Sequence, residues 1–256
     1  MNNRVAIVTG ASRGIGRATA IRLAKDYGVV VLVARSADLL KDTAKEVRSA
    51  SSEPLELDVD LRQPDAAKAV VEGTLAKFGR IDAVVNIAGA VPQVDVLEMT
   101  DEQWDDGFAL KLHGARRLAI LAWDALKAAG GSVIFTSGNS AQMPKSGFAA
   151  VATVNAAIVA MAKAFADRGV TDGVQVNSVL PGPVMTDRRR SYMEKYAPAH
   201  GMTVEEALEK FPAQAGITRY GKPEDIAELV AFVLSDSGRW LVGASLRMDG
   251  GEVKGL

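Results

Sequence analysis

The sequence predicts an α/β fold, a doubly wound, mostly parallel sheet of about seven strands with helices on both faces. Three observations predict it. Short apolar runs without polar alternation recur along the chain, separated by longer stretches of helical periodicity. Such runs fit strands buried on both faces. The first of them opens directly into a glycine-rich turn and a helical stretch. No repeat or linker breaks the chain, so its 256 residues read as one domain, 1–256.

The elements follow in order. Val5, Ala6, Ile7 and Val8 form the first strand, and Arg17, Ala20, Ile21 and Ala24 lie on the helix after the turn. Tyr27 and Gly28 are expected to close that helix with a glycine cap. Residues 29–34 are a continuous β-branched strand, and 37–49 a helix with Leu39, Leu40, Ala44 and Val47 on one side. A short strand at 55–58 precedes a helix at 64–78, with Pro64 near its first turn. Residues 81–87 are a buried strand, 101–129 helical, and 132–136 a strand. A long alanine-rich helix at 148–168 is followed by a strand at 174–180, a helix at 223–234 and an apolar strand at 246–248. The interval 181–217 contains no strand but holds Arg188, Arg189, Arg190, Tyr192, Tyr196, His200 and several prolines. An insertion after a strand's carboxyl end lies over the ligand crevice of such a sheet, so a lid-like insertion is expected at about 186–217.

Composition narrows the function classes. A net charge of -1 supplies no field for nucleic acid or an anionic membrane, so neither is an expected partner. The absence of cysteine excludes disulfides and thiolate chemistry, and two histidines are too few for a histidine metal cluster. No signal peptide is read before Val5, and no apolar run is read as long enough to span a membrane. The expectation is a soluble cytoplasmic protein.

The turn after the first strand carries the strongest functional signal. Gly10, Ser12, Arg13, Gly14, Ile15 and Gly16 give the spacing G-x-x-x-G-x-G. Glycines let the backbone turn tightly and approach phosphates, and the new helix aims unpaired N–H groups and its positive dipole end at them. An ordinary strand-to-helix turn is the alternative, and the position directly after the first strand favours a pyrophosphate cradle. Arg13 within the turn and Arg35 after the second strand suit a 2′-phosphate, which favours NADP, with NADPH preferred over NADH. Asp58 and Val59 end the third strand, where the acid can accept from an adenine amino group. Asn86, Ala88 and Gly89 end the fourth, where small residues admit a ribose and Asn86 can tie neighbouring strands.

Together these motifs resemble the short-chain dehydrogenases/reductases, especially members like β-ketoacyl carrier-protein reductase. Residues 9–16 match T-G-x-x-x-G-I-G, Asp58 and Val59 match the adenine pair, and 86–89 match N-N-A-G with Ile87 for the second asparagine. The stretch 176–186, with Pro181, Gly182, Val184 and Thr186, is similar to the loop that holds the nicotinamide carboxamide. Residues 219–225 and 249–251 match C-terminal landmarks. The resemblance implies a Rossmann-type subunit that binds a nicotinamide dinucleotide and an unidentified small molecule. It also implies a homodimer or homotetramer, with a hetero-oligomer containing an active relative as the variant.

The resemblance fails at the catalytic positions. The family's Y-x-x-x-K aligns with Val151 and Asn155, its serine with Gly138, flanked by Ser137 and Ser140, and its asparagine with Lys111. None of the four tyrosines, Tyr27, Tyr192, Tyr196 and Tyr220, has a lysine at the required spacing, so no shift of register restores the pair. Gly138 is expected to leave room but no hydroxyl. Lys111 is expected to reach into the space of the missing lysine, and Tyr192 and Tyr196 to enter the crevice only by another geometry. His113 reads as a packing residue, and His200 has no acid partner to name. Three functions follow: a noncanonical oxidoreductase, suited to hydride transfer to an iminium-like substrate; a catalytically inactive cofactor-binding subunit or sensor; or a non-redox isomerase or cyclase on the same scaffold.

Overall fold

A computed structural model describes residues 3–255. Its sheet has seven strands in the order β3-β2-β1-β4-β5-β6-β7. These are β1 Val5–Thr9, β2 Val29–Ala34, β3 Glu53–Asp58, β4 Ala83–Asn86, β5 Ser132–Thr136, β6 Gln175–Pro181 and β7 Ser245–Met248. Every neighbouring pair is parallel. Successive side chains point to opposite faces, which explains the unalternating runs. Val5 and Ile7 of β1 enter one core, with Val29, Val31 and Val33 of β2. Ala6 and Val8 enter the other, with Val30 and Leu32.

Helices α1 Gly14–Leu23, α2 Ala37–Ser49 and α10 Pro223–Val233 cover the second face through Ala20, Leu23, Leu40, Val47, Ile226 and Val230. The first face is covered by α3 Ala66–Phe78, α5 Ala115–Leu121, α6 Trp123–Ala129 and α7 Ala149–Asp172. Each fully buried Leu, Ile or Val contributes about 1.5–3 kcal/mol. Both faces are therefore committed, and ligand access is left to the carboxyl edge. The strand order reverses where β1 lies between β2 and β4, the switch point at which crevices open in such sheets.

Several boundaries differ from expectation. Helix α1 ends at Leu23 with Ala24 as a right-handed cap, so Gly28 is not its cap; Asp26 and Tyr27 both donate from N–H to Leu23 O in a closing turn. Pro64 precedes α3, whose cap is Asp65. The interval 101–129 is broken: α4 Asp101–Phe108, a π-helical turn Ala109–Gly114, then α5 and α6. Helix α7 runs on to Asp172, where Arg168, Lys127 and the Trp123 indole converge on one carboxylate. The expectation that no run is long enough to span a membrane is corrected, since the 27 residues Ser146–Asp172 pass by length and composition. In the fold, Val154, Ile158, Ala162 and Ala166 of this stretch pack into the core. The strandless interval contains α8 Asp187–Ala199 and α9 Val204–Gln214, which share a small core of Met193, Ala197 and Ala207.

Candidate active site

A cleft of about 680 Å³ lies at the switch point. Its floor begins with the glycine turn. Gly10 has φ +69, and a Cβ there would lie 3.1 Å from the Ala88 backbone nitrogen. A Cβ on Gly16 would lie 2.1 Å from Gly10 O, so only glycine lets α1 start this close to β1. Thr9 Oγ1 accepts from the Ile87 and Ala88 N–H groups at 2.9 and 3.0 Å, which locks the two loops together. Arg13, the residue before α1, is extended and gives no side-chain cap, and the first turn carries no acid. The uncapped helix start faces the cleft with Ser12, Arg13, Gly14 and Ile15 on its wall. This donor set fits a pyrophosphate.

The far wall carries Arg35, Val59 and Asp60. Arg35 lies 3.8 Å from Asp60, which also pairs with Arg62 at 3.1 Å. Asp58, the expected adenine partner, does not line the cleft. It is still in the strand, paired with Ala34 and exposed, and the chain turns into the cleft only at Val59 and Asp60. Asn86 also stays outside. It is buried, and its amide has no partner among the described residues, so it does not tie strands together. Val184 packs into the second core and bridges to Gly221 rather than facing the cleft. Ala88, Gly89, Pro181, Gly182 and Thr186 do line it. Thr186 Oγ1 caps α8 by accepting from Arg189 N–H at 3.3 Å.

Lys111, Gly138, Val151 and Asn155 meet at the inner end. The π-helical turn carries Lys111, and its stem runs over Gly89, where a Cβ would lie 3.0 Å from Lys111 Cδ. Lys111 Nζ donates to Asn155 Oδ1 and to Ser137 O, the latter at 3.0 Å. Asn155 Nδ2 donates to Ser140 Oγ at 2.8 Å, and Ser137 Oγ donates to Asn155 O at 2.8 Å. Gly138 does not leave room. A Cβ there would lie 2.7 Å from Asn155 Nδ2, so the carboxamide fills the space the sequence reading left empty. Burial, with Arg188 as a second cause, lowers the Lys111 ammonium from its ordinary value to about 7.

Arg188 is a cleft residue, like Asp60, that the motifs did not single out for a role. From α8 its guanidinium donates to Gly89 O at 3.0 Å and Val91 O at 2.9 Å, crossing to the loop after β4. No tyrosine lines the cleft among the described residues. Tyr192 packs at a tilt against Phe148 and stacks on Tyr196, and Tyr220 stacks on Phe211, with the Arg189 guanidinium 3.9 Å from the Phe211 ring. Neither histidine lines the cleft: His200 stacks on Tyr196, and His113 Nδ1 has no partner among the described residues.

The family model described as enoyl-(acyl carrier protein) reductase matches residues 10–252. The 3-oxoacyl-[acyl-carrier-protein] reductase FabG of Staphylococcus epidermidis is 28% identical over 251 residues, which cover 97% of this chain and 98% of that protein. Versicolorin reductase of Emericella nidulans is 30% identical over 256 residues, covering 98% and 96%. The crystal structure of L-sorbose reductase from Gluconobacter frateurii, complexed with NADPH and L-sorbose, is similar with a TM-score of 0.94 and 30% identity, covering 100% of this chain and 98% of that one. A match over nearly the whole length joins the glycine cradle and the parallel sheet to one lineage, and the chain belongs to the short-chain dehydrogenase/reductase family of oxidoreductases.

Proposed function

We propose that this protein is an NADP(H)-dependent reductase whose site has lost the family's phenol, serine and lysine, and that it reduces C=N bonds in preference to ketones. The observation that carries the reading is the end of the cleft where Lys111, Gly138, Val151 and Asn155 stand together and no tyrosine lines the wall among the described residues. Hydride arriving at a ketone leaves an alkoxide that must be protonated or stabilised; hydride arriving at an iminium leaves a neutral amine. Loss of a positioned acid costs about 10²- to 10⁴-fold on the ketone route.

NADP(H) is the cofactor of this reading. The uncapped start of α1 would hold the pyrophosphate, and Arg13 and Arg35 would hold a 2′-phosphate. Bound there, the dinucleotide supplies hydride; the chain's own part is to seat it and exclude water. Helix α8 borders the cleft at its start and carries α9 packed against it, and the pair serves as a lid latched by Arg188 to the loop after β4. Lys111 takes over the electrostatic place of the missing lysine through its bond to Asn155. Assembly into a dimer or tetramer is supported by exposed apolar groups, Trp240 and Val242 beside the edge strand β7 and Ile120 and Leu121 on α5.

Fluorescence titration with NADPH and NADH, followed by NADPH consumption against ketones and cyclic imines, tests the reading. Tighter binding of NADPH with turnover of imines supports it. Binding without turnover of either class supports a cofactor-binding subunit instead, and rapid ketone reduction refutes the assignment of the site.

A further inference from the structure

Resting on the reductase reading of the cleft, we propose that Lys111 is the catalytic acid and that the substrate is a neutral imine whose nitrogen takes its proton from the Lys111 ammonium. The geometry around Nζ carries the assignment. Two of its three N–H bonds are engaged, by Asn155 Oδ1 and Ser137 O, both neutral acceptors. A neutral amine also has two N–H bonds. The proton can therefore leave and return while both anchoring bonds persist, and the third position on nitrogen is the one that titrates. The stem is held in place by its passage over Gly89.

The surroundings tune the amine for this work. The charged side chains that share its cleft are Arg13, Arg35, Asp60, Asp187 and Arg188, and Glu252 stands at the edge, bonded to Asn139. Helix α7 and the loop after β5 present only neutral groups to it, Asn155, Ser137 and Ser140. Burial and Arg188 bring it to about 7, so both protonation states are populated near neutral pH. Arg188 bonds only neutral oxygens and is itself lowered by burial and by Arg13.

The step balances. The imine carbon receives hydride, the C=N π pair moves to nitrogen, and an N–H bond forms there as one Lys111 N–H bond breaks. Two electrons pass from the reduced dinucleotide to the imine, and neutral Lys111 regains its proton from water.

The test compares the wild-type protein with Lys111→Met and Asn155→Asp, using a neutral cyclic imine and its N-methyl iminium salt, which needs no proton. Competitive acylation across pH, read by peptide mass spectrometry, follows the Lys111 amine directly. The expected midpoint is about 7. Lys111→Met should lower the ratio of imine reduction to iminium-salt reduction by about 10²- to 10⁴-fold, whatever it does to the two rates in common. Asn155→Asp should move the alkaline fall in imine reduction to higher pH, because a carboxylate favours the ammonium; it also serves if Lys111→Met does not fold. An ordinary lysine midpoint, or an undiminished ratio in Lys111→Met, overturns the proposal. So does a wild-type protein that turns over neither compound. NADPH titration of that sample then shows whether the reading of the cleft fails with it, because only loss of binding removes the cofactor site.

Discussion

Replacing Gly138 by serine should destabilise this protein. Gly138 is extended, with φ 170, so the backbone accepts any residue and the obstacle is space alone. A Cβ would lie 2.7 Å from Asn155 Nδ2. The carboxamide must then swing away from two partners, the Lys111 ammonium and Ser140 Oγ. The charged bond is worth about 1.5–3 kcal/mol and the neutral one about 0.5–1.5 kcal/mol, so about 2–4.5 kcal/mol is lost. For a chain of this size each kcal/mol lowers Tm by about 2–4 °C, which gives a fall of about 4–18 °C. Thermal unfolding followed by circular dichroism measures it. Asn155→Ala loses the same bonds, so the double variant Gly138→Ser with Asn155→Ala should melt close to Asn155→Ala alone, a strongly non-additive cycle. A Gly138→Ser protein melting within about 1 °C of wild type, or a double variant showing the sum of the single losses, would refute the packing argument.

Other predictions concern the rest of the cleft and one structural carboxylate. Arg35→Ala should weaken NADPH by about 10- to 100-fold, the worth of a charged contact, and leave NADH nearly unchanged by titration. Arg188→Ala removes one of the two causes that lower Lys111, so the alkaline limb of the pH–rate profile should move above about 7. Asp172 is held well below the usual carboxylate range, first by its bond from Arg168 and then by those from Trp123 and Lys127. Its contribution is present above the ordinary carboxylate pKa and is lost as pH falls through the acid range. Asp172→Asn should therefore lower Tm at neutral pH and flatten its decline in acid, measured by calorimetry across pH.

The sheet was legible because its signal is redundant. β1 and β2 are buried on both faces, so each of their residues had to be apolar or small. The glycine cradle was legible because close backbone approach leaves no substitute for Gly16. What escaped depends on where chains turn and rotamers point. Nothing in Ala109–Gly114 marks a π-helical turn, yet that turn carries Lys111 into the cleft. Asp58 and Asp60 are both acids at the end of β3, and only the turn at Val59 decides that Asp60 faces the cleft. The space at Gly138 is closed by a side chain from α7, a contact between distant positions that no single motif encodes.

The most direct measurement of the central claim is a stopped-flow comparison of a cyclic imine with its matched ketone at neutral pH, each mixed with protein preloaded with NADPH. Loss of NADPH absorbance should be faster with the imine by about 10²-fold or more, because the Lys111 ammonium can protonate an imine nitrogen before hydride arrives, whereas a ketone oxygen is far too weak a base to take that proton. Ketone reduction at the rate of the imine would contradict the account.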